Sequence, residues 1–195
     1  MLNILKRINS EYQMSDALDS LMARYQEQVE PLVTEYVEEW QSPIYQQPID
    51  DDNVNWLPCR QQPALDFEAL ESALEVSFHS SVKTFYGRWY AGDLKVEFRQ
   101  DDEQHPISLL QVQGPEDAER LLQNLTGHVL MKRKLKQPIT VFIGLAEEAD
   151  DLLISIDNDS GEIGLEWIGK TQHQCLSSNL DEFLQQCSPI SGENH

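Results

Sequence analysis

The stretch from Pro115 to Ile143 constrains this 195-residue chain more than any other. Pro115 suits the first position of a helix, where a missing N–H costs nothing. Glu116, Asp117 and Glu119 fall at the electropositive start, and Lys132, Arg133, Lys134 and Lys136 crowd the electronegative end. Ala118, Leu121, Leu122, Leu125 and Val129 recur at helical spacing and predict one apolar face. Pro138 stops the helix. Ile139-Thr-Val-Phe-Ile143 then runs without polar alternation, as a strand central in a sheet does. A long amphipathic helix feeding a buried strand demands helix-on-sheet layering. The basic residues at its end are read as dipole complements on a solvated face, with anion binding as the lesser alternative.

The flanking segments supply the other elements. Asp16 to Trp40 has three-and-four apolar spacing, predicting a long helix that kinks or breaks at Pro31. Residues 41–64, punctuated by Pro43, Pro48, Pro58 and Pro63, predict a loop pinned to the core by Trp56 and Leu57. Asp66 is placed to cap a helix running to about Phe78. Val82–Tyr90 reads as a strand, and Leu94–Phe98 alternates strictly, with Leu94, Val96 and Phe98 inward. Ile107–Val112 is a further strand. Leu152–Ile156 and Ile163–Trp167 flank Asp157-Asn-Asp-Ser-Gly161-Glu162 as a hairpin. Asn179 to Cys187 is a final helix capped by Ser177 or Ser178. The order predicts a single α+β domain, a mixed β-sheet packed with helices, over residues 14–190. Residues 1–13 form a flexible extension, with Met14 as an alternative start, and 191–195 a tail.

Charge narrows the function. Asp plus Glu total 34 and Lys plus Arg 14, giving a net charge of −20. Such a surface is unsuited to sequence-independent nucleic-acid binding, which needs cations to displace counterions. It also disfavours unaided binding to anionic lipid and favours a basic partner. Cys59, Cys175 and Cys187 are odd in number and lack metal or redox spacing, which predicts reduced thiols in the cytosol. No apolar run approaches the roughly 20 residues of a membrane span.

No catalytic constellation emerges. Asp157-x-Asp159-x-Gly161 departs from a calcium loop and reads as a turn. The five histidines include no i, i+4 pair, and His128 reads as an interior or rim residue on the sheet-packing helix. Cys59 beside Arg60 is conceivable as a nucleophile, but no base stands next to it in sequence. Phosphate-cradling glycine motifs and a nucleophile elbow are absent from the sequence. No cofactor and no small-molecule substrate are expected.

Thr84-Phe-Tyr86, Ala91-Gly-Asp93-Leu94, Leu109-Leu-Gln111, Gln123-Asn-Leu-Thr-Gly-His128, Lys134-Leu-Lys136, Pro138-x-x-x-Phe-Ile143, Ser160-Gly-Glu162 and Ser178-Asn-Leu-Asp-Glu-Phe-Leu184 follow one another in order. This series resembles the Syd family of bacterial SecY-interacting proteins, within the SUKH superfamily. The resemblance implies an α+β fold with a concave acidic face and no enzymatic activity. It implies a cytoplasmic protein, peripheral on the inner membrane through SecY, that binds the basic cytoplasmic loops of SecY. There it would monitor or restrain SecY that is abnormal or uncomplexed. The superfamily link leaves a second function, an immunity protein sequestering a basic toxin. Partner-binding residues carried over by motif are Tyr86, Asp93, Asn124, His128 and Glu162. The chain departs from the family pattern in residues 1–13, and in Val112 and Gln113, where an aromatic is expected.

Overall fold

The computed structural model describes residues 17–28, 30–100 and 103–190. The expected extension 1–13, the alternative start at Met14 and the tail 191–195 lie outside the described residues. Helix α1 (17–26) buries Ala17, Leu18, Leu21, Met22 and Tyr25, one stripe at the predicted spacing. It ends before Pro31, so the proline marks a break rather than a kink. Beyond it the chain is extended, because proline lacks the helical N–H and biases its predecessor away from helix.

Residues 32–40, expected as the far half of the first helix, hold a short strand instead, and residues 41–64, expected as loop, supply three further short strands. Strands β1 (Val33–Glu35), β2 (Tyr45–Pro48) and β3 (Asn53–Trp56) pair antiparallel in the order β1-β3-β2. In β3 the Asn/apolar alternation turns Val54 and Trp56 inward, a strand signal that the surrounding prolines obscured. Trp56 is pinned in the core as expected, but Leu57 is exposed. Strand β4 (Cys59–Arg60) pairs with β5 (Trp89–Tyr90).

Helix α2 (Glu68–Leu74) is shorter than predicted. Asp66 does accept from the Glu68 N–H at 2.8 Å, and the helix closes on Glu75 in the left-handed conformation (φ 47°). The predicted strand Val82–Tyr90 is mostly helix α3 (Ser80–Gly87). His79 Nδ1 accepts from the Ser81 N–H at its start, and Val82, Phe85 and Tyr86 fall on one buried side. Spacing of three and four outweighs the strand preference of the aromatics.

Seven strands make the main sheet: β6 (Leu94–Gln100), β7 (Glu103–Leu109), β8 (Thr140–Ala146), β9 (Leu152–Asp157), β10 (Ile163–Trp167), β11 (Gln174–Ser177) and β12 (Cys187–Pro189). Their order is β11-β10-β9-β8-β7-β6-β12, with β8 at the centre as predicted. Every neighbouring pair is antiparallel, so the sheet is not mixed. It curls into a half-barrel, with register shifts at Phe142/Gly144 and Ile163/Gly164. The hairpin turn 157–162 is held by Asp157 Oδ1, which accepts from Asp159 N, Ser160 N and Ser160 Oγ, and by Gly161 at φ 81°. It is a turn and not a calcium loop.

Helix α4 (Pro115–Lys134) crosses the sheet as predicted, and α5 (Leu180–Gln185) packs Phe183 on Phe98, ring centroids 4.9 Å apart. Asn179, not Ser177 or Ser178, caps α5 by accepting from the Glu182 N–H at 2.9 Å. Cys187 lies in β12, beyond the helix. Two contacts draw the chain's early part onto its frame. Asp19 accepts from Arg88 (2.7 and 2.8 Å), Arg60 (2.6 Å) and Trp89 Nε1 (2.8 Å). Burial pushes its pKa up, but these donors outweigh burial and hold it below 3.8. Arg24 donates to the Cys187 carbonyl at 3.0 Å.

One sequence assignment is reversed outright. Lys132 is not a solvated dipole complement: it is fully buried, as is Glu166, and the two ions meet at 3.0 Å. Lys132 Nζ also donates to the Lys170 carbonyl at 2.6 Å, while Glu166 Oε2 has no hydrogen-bond partner. Removing one member of such a pair strands the other charge in the interior. Lys132→Met should therefore cost about 3–5 kcal/mol in urea unfolding, and Lys132→Met with Glu166→Leu should recover most of it.

Candidate functional site

The motif Ala91-Gly92-Asp93 delivers its carboxylate to a specific place because of Gly92. A Cβ there would stand 2.8 Å from Trp56 Cε2, so only glycine lets the strand entrance lie against the buried indole. Asp93 then opens into a recess of about 120 Å³. Its walls include Tyr86 from α3, Gln111 and Val112 from the β7–α4 connection, Asp117 and Asn124 from α4, and Phe142 from β8.

Three predicted residues thus converge: Tyr86, Asp93 and Asn124. Their roles differ. Tyr86 is fully buried and donates to the Phe142 carbonyl at 2.8 Å, which ties α3 to the central strand; burial pushes its phenol far above 10. It forms the wall and has no ionisation to offer. Asp93 is exposed in area, yet its carboxyl is crowded by the walls. That crowding first, and the Asp117 charge second, raise its pKa above 3.8, against one long bond of 3.4 Å from the Gln111 N–H. A carboxylate so placed is underprovided with donors, and a cation entering the recess would supply them. Asn124 presents an amide to the same space.

Sequence reasoning missed Asp117 and Arg120. Asp117 was read as a helix-dipole residue; it is buried and accepts from the Gln113 N–H (2.9 Å) and from Arg120 Nε (2.9 Å). Arg120 stays largely exposed, its guanidinium 5.2 Å from the Trp40 ring. The spacing Asp117, Leu121, Asn124, His128, Lys132 follows a helix face and was the available signal.

His128 lies one turn beyond Asn124 and behind the recess. Its ring meets Phe142 edge-on, centroids 5.4 Å apart. Thr140 Oγ1 donates to Glu166 at 3.0 Å, so His128 Nε2 donates to Thr140 at 3.2 Å. His128, Thr140, Glu166 and Lys132 form one buried chain under α4. Burial first, and the nearby Lys132 charge, lower the His128 pKa from 6.5 despite the opposing pull of Glu166. The interior-histidine expectation holds, and His128 is not among the residues that line the recess. Glu162 is exposed on the β9–β10 turn, outside the residues that line the recess. Cys59 is half-buried with its thiol pushed up by burial, and Arg60 is committed to Asp19 and to the Trp89 face. Nothing there activates a nucleophile. Among the described residues no cluster of His, Cys, Asp and Glu could hold a metal.

A family model described as Syd protein (SUKH-2) matches residues 15–189. The Protein Syd of Idiomarina loihiensis is 58% identical over 176 residues, 90% of this chain and 94% of that protein. The Protein Syd of Pseudoalteromonas translucida is 45% identical over 149 residues, covering 76% and 80% of the two chains. That of Alteromonas mediterranea is 38% identical over 181 residues, covering 91% and 97%.

Two outcomes test the construction of the site. Gly92→Ala should destabilise by about 1–3 kcal/mol in urea, since the indole it meets is itself packed. His128 is held below 6.5 in the folded state, so its share of stability is present above that pH and is lost as pH falls towards its folded value. The stability difference between wild type and His128→Asn should therefore be larger at pH 7.5 than at pH 5.5.

Proposed function

The chain belongs to the Syd (SUKH-2) family, and on that premise we propose that it is a non-enzymatic binding protein for the basic cytoplasmic loops of SecY. In this reading it monitors or restrains SecY that is abnormal or uncomplexed. The observation that carries the proposal is the Asp93 carboxylate, crowded in a recess, short of donors and beside a second carboxylate. A lysine or arginine side chain from a loop answers each of these conditions. Asn124 offers such a side chain an acceptor, and Arg120 would swing from Asp117 as the loop enters. The net charge of −20 steers a cationic segment to the molecule before it docks.

Among the described residues no helix is long and apolar enough to cross a membrane. Attachment to the cytoplasmic side of the inner membrane runs, in this reading, through SecY. The concave acidic face expected from the resemblance is taken here to be the rim around Asp93.

The test is binding to SecY in nanodiscs across a salt series. Affinity should fall as the Debye length shrinks from about 8 Å at physiological strength to about 3 Å at 1 M. Asp93→Lys should weaken binding about tenfold, roughly 1.4 kcal/mol, at low salt. Salt-independent affinity, or an unaltered Asp93→Lys, would sink the electrostatic mechanism. Absence of binding by the folded protein at low salt would transfer the recess to another basic partner, as in toxin sequestration.

A further inference from the structure

Seven large apolar side chains are exposed among the described residues, and three of them share one corner: Leu135 (46%), Trp167 (40%) and Ile168 (53%). The corner joins the end of α4 to the β10–β11 turn. Gln137 Nε2 donates to the Gly169 carbonyl at 2.9 Å and Lys132 Nζ to the Lys170 carbonyl. Leu135 Cδ1 lies 3.8 Å from where a Gly169 Cβ would stand. The turn is closed by the Lys170 N–H on the Trp167 carbonyl at 2.8 Å, and Trp167 is backed by the His173 ring in near-parallel stacking. These apolar groups are therefore held outward on an anchored turn.

Around them stand Lys134, Lys136 and Lys170, all exposed and without a carboxylate partner among the described residues. Lys136 carries a second signal. The helix ends with Gln137 N on the Lys132 carbonyl and Lys136 N on the Arg133 carbonyl, both 3.0 Å, a Schellman closure whose left-handed position is normally glycine. Here it is Lys136, at φ 56°. The same closure at α2 carries Glu75, so the left-handed position holds a charged side chain at both helix ends, and at this one the charge is positive.

We propose that this corner is a contact for an anionic lipid surface: Trp167, Ile168 and Leu135 enter the headgroup region, and the three lysines meet lipid phosphates. Tryptophan suits that boundary, with its apolar ring and polar N–H. Lysine stems cover apolar surface while their ammonium groups stay wet. The strongest objection is the net charge of −20. However, the acidic start of α4 lies about 27 Å from Leu135, at 1.5 Å per residue, against a Debye length of about 8 Å. Close exceptions are Asp151 and its neighbour Asp150, since the Ile168 N–H bonds the Asp151 carbonyl, Asp157, which shares a recess with Pro138 and Thr171, and Glu75, whose carbonyl accepts from Arg133. They limit the contact to a weak, orienting one. The proposal is independent of the SecY reading.

The test is flotation of the full-length protein with phosphatidylglycerol–phosphatidylethanolamine vesicles, against phosphatidylcholine vesicles, with tryptophan emission followed in parallel. Flotation and a blue shift are expected on the anionic vesicles alone. Lys134→Glu with Lys170→Glu should reduce flotation at least about tenfold. Trp167→Ser with Ile168→Ser should abolish the blue shift. Lys136→Gly separates binding from folding: it should raise thermal stability by relieving the left-handed lysine and still lower flotation. Failure of the folded wild type to float at low salt would overturn the proposal. So would equal flotation on both vesicle types, or flotation indifferent to all three variants. Loss of SecY capture in detergent by these variants, without any vesicle binding, would mark a protein contact and equally overturn it.

Discussion

The placement of α4 over the sheet depends on a buried ion pair. Lys132 and Glu166 carry opposite charges with no access to water, and each is tolerable only because the other is there. The buried face of Ala118, Leu121, Leu125 and Val129 supplies close packing, to which the pair adds a directional contact. The ion pair, extended through Thr140 to His128, fixes one rotation and one axial position. That setting brings Asn124 and Asp117 to the recess and Leu135 to the β10–β11 turn.

Much of the frame was legible because its signals were redundant. For α4, N-terminal proline, charge asymmetry, apolar spacing and a terminating proline agree, and its bounds followed closely. The alternation in β6 and the turn chemistry between β9 and β10 were equally plain. Legibility failed where one signal was read alone. Phe85, Tyr86, Trp89 and Tyr90 suggested a strand, although the His79 cap and the spacing from Val82 specify α3. Lys132 looked like its neighbours Arg133 and Lys134, and only its alignment with His128 and Asn124 distinguishes it. Its partner Glu166 lies on a strand 34 positions away, a relation that periodicity along one element does not contain.

The candidate site was legible in part for the same reason. Tyr86, Asp93 and Asn124 sit in separate motifs on α3, the start of β6 and α4, and the antiparallel sheet gathers them. Tyr86 is a wall of the recess, and Asp93 is its exposed carboxylate, beside the buried Asp117. Asp117 escaped notice because a carboxylate in the first turn of a helix already has a sufficient explanation. Glu162, carried by motif alone, is exposed on the β9–β10 turn, apart from the residues that line the recess.

The Arg24 bond to the Cys187 carbonyl joins the first described helix to the last described strand, and β12 itself covers the edge of β6. The first closure spans 163 positions, and the second joins strands separated by the whole of β7–β11, α4 and α5. During synthesis β6 can pair with β7, but its other edge stays open, and α1 lacks its final anchor, until residue 189 has left the ribosome. A chain cut short of β12 therefore presents a bare β6 edge that pairing with β12 otherwise covers.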